Sequence, residues 1–151
     1  MDQELRELYQ QVILDHNKSP RNYRVMEHPT QDAEGFNPLC GDKLHIYLLL
    51  EDGVVKDVSF QGSGCAISKA SASLMTSMIK GKTKEEAEKI FEKFHDLITG
   101  KLGEQISIDE LGKLAVFEGV KEFPVRVKCA SLAWHTMKSA LNKEGSKVTT
   151  E

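Results

Sequence analysis

A chain of 151 residues, 40% of them hydrophobic, can enclose one core and leaves no room for a second independent domain. Acidic and basic residues nearly balance, 23 against 20, and the net charge of -3 excludes a broad basic surface for nucleic acid or anionic lipid. Met1 to Gln11 is charged throughout with no apolar h-region, and no apolar run is long enough to cross a bilayer. The expectation is a cytoplasmic protein with no membrane and no nucleic-acid partner, whose three cysteines, an odd number in a reducing compartment, are free thiols or metal ligands.

Leu5, Leu8, Tyr9, Val12 and Ile13 recur at helical spacing and predict an amphipathic helix over residues 3 to 16 that lies on the core. From Asn17 to Gly41 the chain is rich in Asn, Pro, His, Asp and Gly, which predicts a long irregular stretch with room for one short strand. It ends at Cys40. Next, Leu44, Ile46, Leu48 and Leu50 alternate toward one face, Glu51-Asp52-Gly53 supplies a turn, and Val58 and Phe60 point inward on the return, so Lys43 to Gln61 reads as a hairpin. Gly62-Ser63-Gly64 leads into a helix over Cys65 to Ile79, with Ile67, Ala70, Leu74 and Met78 on one side and Gly81 to close it.

Two capping boxes follow, Thr83 with Glu86 and Ser107 with Glu110. The first opens a helix with the apolar set Ile90, Phe91, Phe94, Leu97 and Ile98. The second opens one carrying Leu111, Leu114, Ala115 and Val116 that fades near Gly119. Phe123-Pro124-Val125 then predicts an extended approach through Arg126, Val127 and Lys128 to Cys129, where a last helix starts, with Trp134, Met137 and Leu141 on its buried side. One domain is expected over residues 1–142, with 143–151 as a polar, flexible tail.

Each cysteine thus sits beside a turn or at a predicted helix start, where unpaired N–H groups and the helix dipole favour the thiolate, the form that binds metal and attacks sulfur. Gly41 and Gly64 remove side chains next to two of the sulfurs, whether for close approach or for turn geometry alone. Three thiolates leave a tetrahedral zinc site one donor short. Asp42, two residues from Cys40, is a candidate, although a turn aspartate more often bonds its own backbone. His16, His28, His45, His95 and His135 are the other possible donors, and spacing does not choose among them.

Three segments, Asn37-Pro-Leu-Cys-Gly-Asp42, Gln61-Gly-Ser-Gly-Cys-Ala-Ile-Ser68 and Pro124-Val-Arg-Val-Lys-Cys-Ala-Ser-Leu-Ala133, resemble the cysteine motifs of the U-type iron-sulfur assembly proteins, the IscU/SufU family. The Leu8-Tyr9 helix with Asp15-His-Asn-Lys-Ser-Pro-Arg-Asn22 is similar too, so the resemblance runs from about Leu5 to about Leu141. It implies an α+β fold in which an antiparallel sheet of about three strands packs against several helices. It also implies Cys40, Asp42, Cys65 and Cys129 as the metal ligands. Lys128 stands where the scaffold branch has a histidine, and a protonated lysine cannot bind metal. Together with the apparent helical insertion near Thr83, that points to the SufU branch.

The resemblance therefore implies a zinc-dependent sulfurtransferase. Its partners would be a SufS-like cysteine desulfurase as donor and an iron-sulfur scaffold downstream. The desulfurase would loosen the zinc shell so that Cys40 takes the persulfide sulfur, with Asp42 setting how readily the site opens. Arg126 and Lys128 flank Cys129 and either steer an acidic partner or form a solvated basic strand end. The alternatives are a scaffold on which an iron-sulfur cluster is built, and a docking adaptor with a purely structural zinc.

Overall fold

Strand alternation builds the centre of the molecule. In the computed structural model, which describes residues 3–100, 113–117, 119–120, 123–142 and 147–149, β1 is Gln31–Asn37, β2 is Asp42–Glu51 and β3 is Val54–Ser63. β2 and β3 pair antiparallel with Ile46 opposite Phe60 and Leu48 opposite Val58, all four fully buried. Such directly opposed side chains are the unit of sheet stabilisation. The hairpin turns on Asp52 and Gly53, both at positive φ (54° and 76°), as a two-residue type I′ turn requires.

The stretch expected to be irregular contains β1, antiparallel to β2 with Asn37 opposite Asp42, so residues 38–41 are the tight turn of a second hairpin. Gly35 accounts for the position of this strand. A Cβ there would come 2.0 Å from Thr136 Oγ1, so only a glycine lets the strand lie this close to the covering helix α4, Pro124–Asn142. A three-residue strand, β4 (Lys147–Thr149), runs parallel to β1 and completes the order β3-β2-β1-β4. The antiparallel three-stranded sheet is present, and part of the tail expected to be flexible extends it; the rest of that tail lies outside the described residues.

Helices α1 (Gln3–Lys18), α2 (Ala66–Ile79), α3 (Lys84–Thr99) and α4 complete the α+β fold. α1 turns Tyr9, Val12 and Ile13 to the core, but Leu8 is 55% exposed, so its buried stripe is narrower than its apolar spacing suggests. The Asp15–Asn22 motif fastens this end of the chain to α2. Ser73 Oγ accepts the Arg21 backbone N–H (2.8 Å) and bonds His16 Nδ1 (2.7 Å), while Asn22 Nδ2 donates to Thr76 Oγ1. Burial holds the pKa of His16 below its usual value, which suits a neutral ring in this clasp.

The capping box of α3 is present, with Thr83 and Glu86 satisfying each other's backbone N–H, and Gly100 ends the helix at φ 76°. Ser107, Glu110 and Leu111 lie outside the described residues. Leu114, Ala115 and Val116 are buried in a short 3₁₀ segment over 113–117. Between α2 and α4, Trp134 Nε1 donates to Ser71 Oγ, which donates to the Ala130 carbonyl, so the buried indole N–H and this hydroxyl are both paired. Among the described residues, no helix is long and apolar enough to cross a membrane.

One expectation is corrected. Residues 126–128 are not extended, and Cys129 does not open a helix. α4 begins at Pro124, where proline's missing N–H costs nothing and its fixed φ suits the first helical position. Arg126 and Lys128 are therefore helical, and Cys129 lies in the second turn.

Candidate metal centre

Two hairpin positions, one helix start and one helix interior bring the site together. Cys40 is exposed in the turn between β1 and β2, next to Gly41 at φ 72°, a conformation that favours glycine. Asp42, the first residue of β2, is fully buried. Its Oδ1 accepts the Cys65 backbone N–H at 2.8 Å and its Oδ2 accepts from Asn37 Nδ2 at 3.1 Å. Gly64 makes this approach possible, since a Cβ at that position would sit 2.7 Å from Asp42 Oδ1.

Cys65 is the N-cap of α2, and its sulfur accepts the Ser68 backbone N–H at 3.4 Å. The expectation of a cysteine at a helix start holds here. Cys129 is 2% exposed, and its S–H donates to Cys40 Sγ across 3.2 Å although the two residues are 89 apart in sequence. The donor atoms of Cys40, Asp42 and Cys129 all lie within 4.8 Å of one another. Cys65 stands beside this trio rather than in it, its backbone on Asp42 and its thiol acting on Cys129.

The histidines are engaged elsewhere. His16 bonds Ser73, His45 bonds Asp32 (2.6 Å) and approaches Glu34 (3.5 Å), and His95 and His135 cluster with Phe91. His28 is exposed. Of the candidate fourth donors, Asp42 is the one that meets the sulfurs. Arg126 stacks its guanidinium on the Phe123 ring at 4.5 Å, and Lys128 is half-buried.

Electrostatics explain what the cluster asks for. Burial, then the hydrogen bond with Cys40, then the charge and contact of Cys65, with Asp42 last, push the Cys129 thiol far above its ordinary range. The helix-start argument for a thiolate does not apply to this cysteine. A divalent cation at the centre reverses the balance, because a coordinating thiol loses its proton outright. The spacing admits such an ion: zinc bonds of about 2.0–2.3 Å set tetrahedral donors roughly 3.3–3.8 Å apart, inside the 4.8 Å that bounds the three donor atoms here. Two sulfurs and a carboxylate, with a third sulfur alongside, suit a soft or borderline metal rather than magnesium or calcium.

Asn37 is the residue of the site that sequence reading passed over. It lies inside the first cysteine motif, but an Asn before Pro in a Gly-containing segment carries the ordinary signature of a turn.

Fold and donor set define a small α+β protein built around a cluster of cysteine sulfurs and one carboxylate that could hold a metal ion. Residues 8–130 match the NifU-like N-terminal domain, and the chain belongs to that family. Over 137 residues it is 43% identical to the zinc-dependent sulfurtransferase SufU of Bacillus subtilis strain 168, spanning 91% of each chain. It is 41% identical over 136 residues to the iron-sulfur cluster assembly scaffold protein IscU of Thermotoga maritima, spanning 90% of this chain and 94% of the relative. A crystal structure of a protein assigned as an iron-sulfur cluster assembly scaffold for the SUF system of Fervidobacterium islandicum AW-1 matches with a TM-score of 0.81 at 37% identity. That match covers 86% of this chain and 93% of the other. The resemblance of the three cysteine motifs to the IscU/SufU proteins is thus borne out.

Proposed function

We propose that this protein is a zinc-dependent sulfurtransferase of iron-sulfur cluster assembly, taking persulfide sulfur from a cysteine desulfurase onto Cys40 and passing it to a downstream scaffold. The observation that carries the reading is the asymmetry of the site. Cys40 is exposed at a hairpin tip, while Asp42 and Cys129, the groups its sulfur faces, are buried. The similarity to SufU supports it, as does Lys128, which offers no metal donor beside Cys129.

Cys40, Asp42, Cys65 and Cys129 would hold the ion. Zinc, when bound, keeps the thiolates deprotonated at neutral pH and takes no part in redox chemistry. The transfer itself is an exchange. The Cys40 thiolate attacks the terminal sulfur of the desulfurase persulfide, a new S–S bond forms on Cys40 as the old one breaks, and the desulfurase cysteine leaves as its thiolate. None of the three cysteines is in a disulfide, and a reducing compartment would keep them available to metal and sulfur.

A scaffold role is the second reading, favoured by the 41% identity to the Thermotoga protein. One preparation tests both. Elemental analysis should find about one zinc per chain, and incubation with a desulfurase and cysteine should add one sulfur to Cys40 by mass spectrometry. Iron with acid-labile sulfide in place of zinc supports the scaffold. Sulfur found on Cys129 alone overturns the assignment of Cys40.

A further inference from the structure

The Asn37 side chain is fully buried at the end of β1. Its Nδ2 donates to Asp42 Oδ2 at 3.1 Å and to Cys129 Sγ at 3.5 Å, and its Oδ1 accepts the Leu39 N–H at 3.2 Å. One amide therefore joins three pieces of chain: the turn that carries Cys40, the first residue of β2 and the second turn of α4. Its orientation is determined by these partners. Turning the amide over would set its oxygen against a carboxylate and a sulfur, and its NH₂ against another N–H.

We propose that Asn37 is a positioning residue of the metal centre, holding Asp42 and Cys129 in register so that Cys40 is the donor free to leave. The inference rests on the proposed metal-binding role of these side chains and not on sulfur transfer. An amide suits the task because it donates two hydrogen bonds, carries no charge and does not titrate. Cys40 receives no bond from Asn37. It is held indirectly, through the Leu39 N–H, and by its contact with Cys129.

The test compares Asn37→Leu, close in shape but without the donors, with Asn37→Asp, the same shape with a carboxylate in place of the amide. Zinc-loaded protein is challenged with a chromophoric chelator. Cobalt-exchanged protein is read by its ligand-field and thiolate-to-metal absorption, and circular dichroism follows the fold. Asn37→Leu is expected to keep its secondary structure, hold zinc about 10–100-fold more weakly, and shift the cobalt bands as the second-sphere bonds are lost. Asn37→Asp keeps the shape but loses the donor to Asp42 and Cys129, so it should also shift the cobalt bands, and it is read alone if Asn37→Leu does not fold. Wild-type zinc retention and an unchanged cobalt spectrum in a folded variant overturn the proposal, reducing Asn37 to a cap for the turn. Zinc-loaded wild-type protein that accepts no sulfur removes the relay and leaves this result standing.

Discussion

The tip of the β1–β2 hairpin and the second turn of α4 each deliver one sulfur to the same point, by opposite means. At the tip, Cys40 stands in a tight turn beside Leu39, which is 60% exposed, and Gly41 at positive φ, with solvent on one side. On α4, Cys129 is held by the helix's own hydrogen bonds and enclosed, one residue before the fully buried Ala130 that contacts α2 through Ser71. A turn can yield locally, whereas moving one residue of a packed helix means moving the helix. The proposed function uses this difference: buried donors would keep the metal while the exposed one does the chemistry.

The largest effect should come from breaking the buried side. Cys129→Ser removes a soft, buried donor from the centre, so the loss in zinc affinity should exceed the roughly 100-fold typical of second-sphere changes. Stability should fall with it, since donors distant in sequence make metal-binding energy partly folding energy. Stripping zinc from the wild type should do the same. An ion present at 100 times its dissociation constant contributes about 2.7 kcal/mol, visible as a lower midpoint in a thermal scan with chelator. Cys40→Ser should abolish sulfur acceptance by mass spectrometry while leaving the circular dichroism spectrum intact. Equal loss of fold in the two variants would erase the distinction between tip and helix.

Asp42 lies between the two regions. Asp42→Ala leaves the Cys65 N–H without its acceptor and takes one of two acceptors from the Asn37 amide, at a cost of about 1–3 kcal/mol, and removes the oxygen donor from the centre. The hairpin should survive, because its pairing rests on Ile46, Leu48, Val58 and Phe60. Full zinc retention and desulfurase stimulation in this variant would make Asp42 a turn residue only. Gly64→Ala sharpens the same point more gently. Gly64 is not at positive φ, so the new methyl acts by crowding Asp42 Oδ1, and a loss of about 1–3 kcal/mol with weaker zinc binding is expected from calorimetry and chelator competition.

How much of this was legible depended on whether the cause was local. The β2–β3 hairpin, the Thr83 capping box and Cys65 at a helix start were readable because alternation, cap and glycine turn all lie within a few residues of what they control. β1 was hidden because its glycine, which reads as a breaker, is there for Thr136 about a hundred residues away. Cys129 was misplaced for a different reason. Pro124 can end an extended segment or occupy the first position of a helix, and only the packing of Ala130, Ala133 and Trp134 along the whole of α4 decides between them. Asp42 was one of several possible donors until the motif resemblance and the fold brought it to the sulfurs. Asn37 had no chemical signature of its own, since its meaning lies in two partners that are separated by most of the chain.

The smallest expected effect is the control for all the others. Thr83 lies at the start of α3, far from the cysteines in the sequence, and its hydroxyl accepts the Glu86 N–H while Glu86 returns a bond to the Thr83 N–H. Thr83→Ala removes one half of that box and should cost about 1 kcal/mol, lowering the melting midpoint by roughly 2–6 °C for a chain of this size. Zinc affinity, the cobalt spectrum and sulfur acceptance at Cys40 should not move. Gly64→Ala is expected to bring a comparable loss of stability together with a loss of zinc. If Thr83→Ala weakened zinc binding as Gly64→Ala does, the metal would be reporting general loosening of the fold rather than the geometry around Asp42. The division between an open tip and a fixed helix would then have to be replaced by a site whose affinity simply follows the stability of the whole domain.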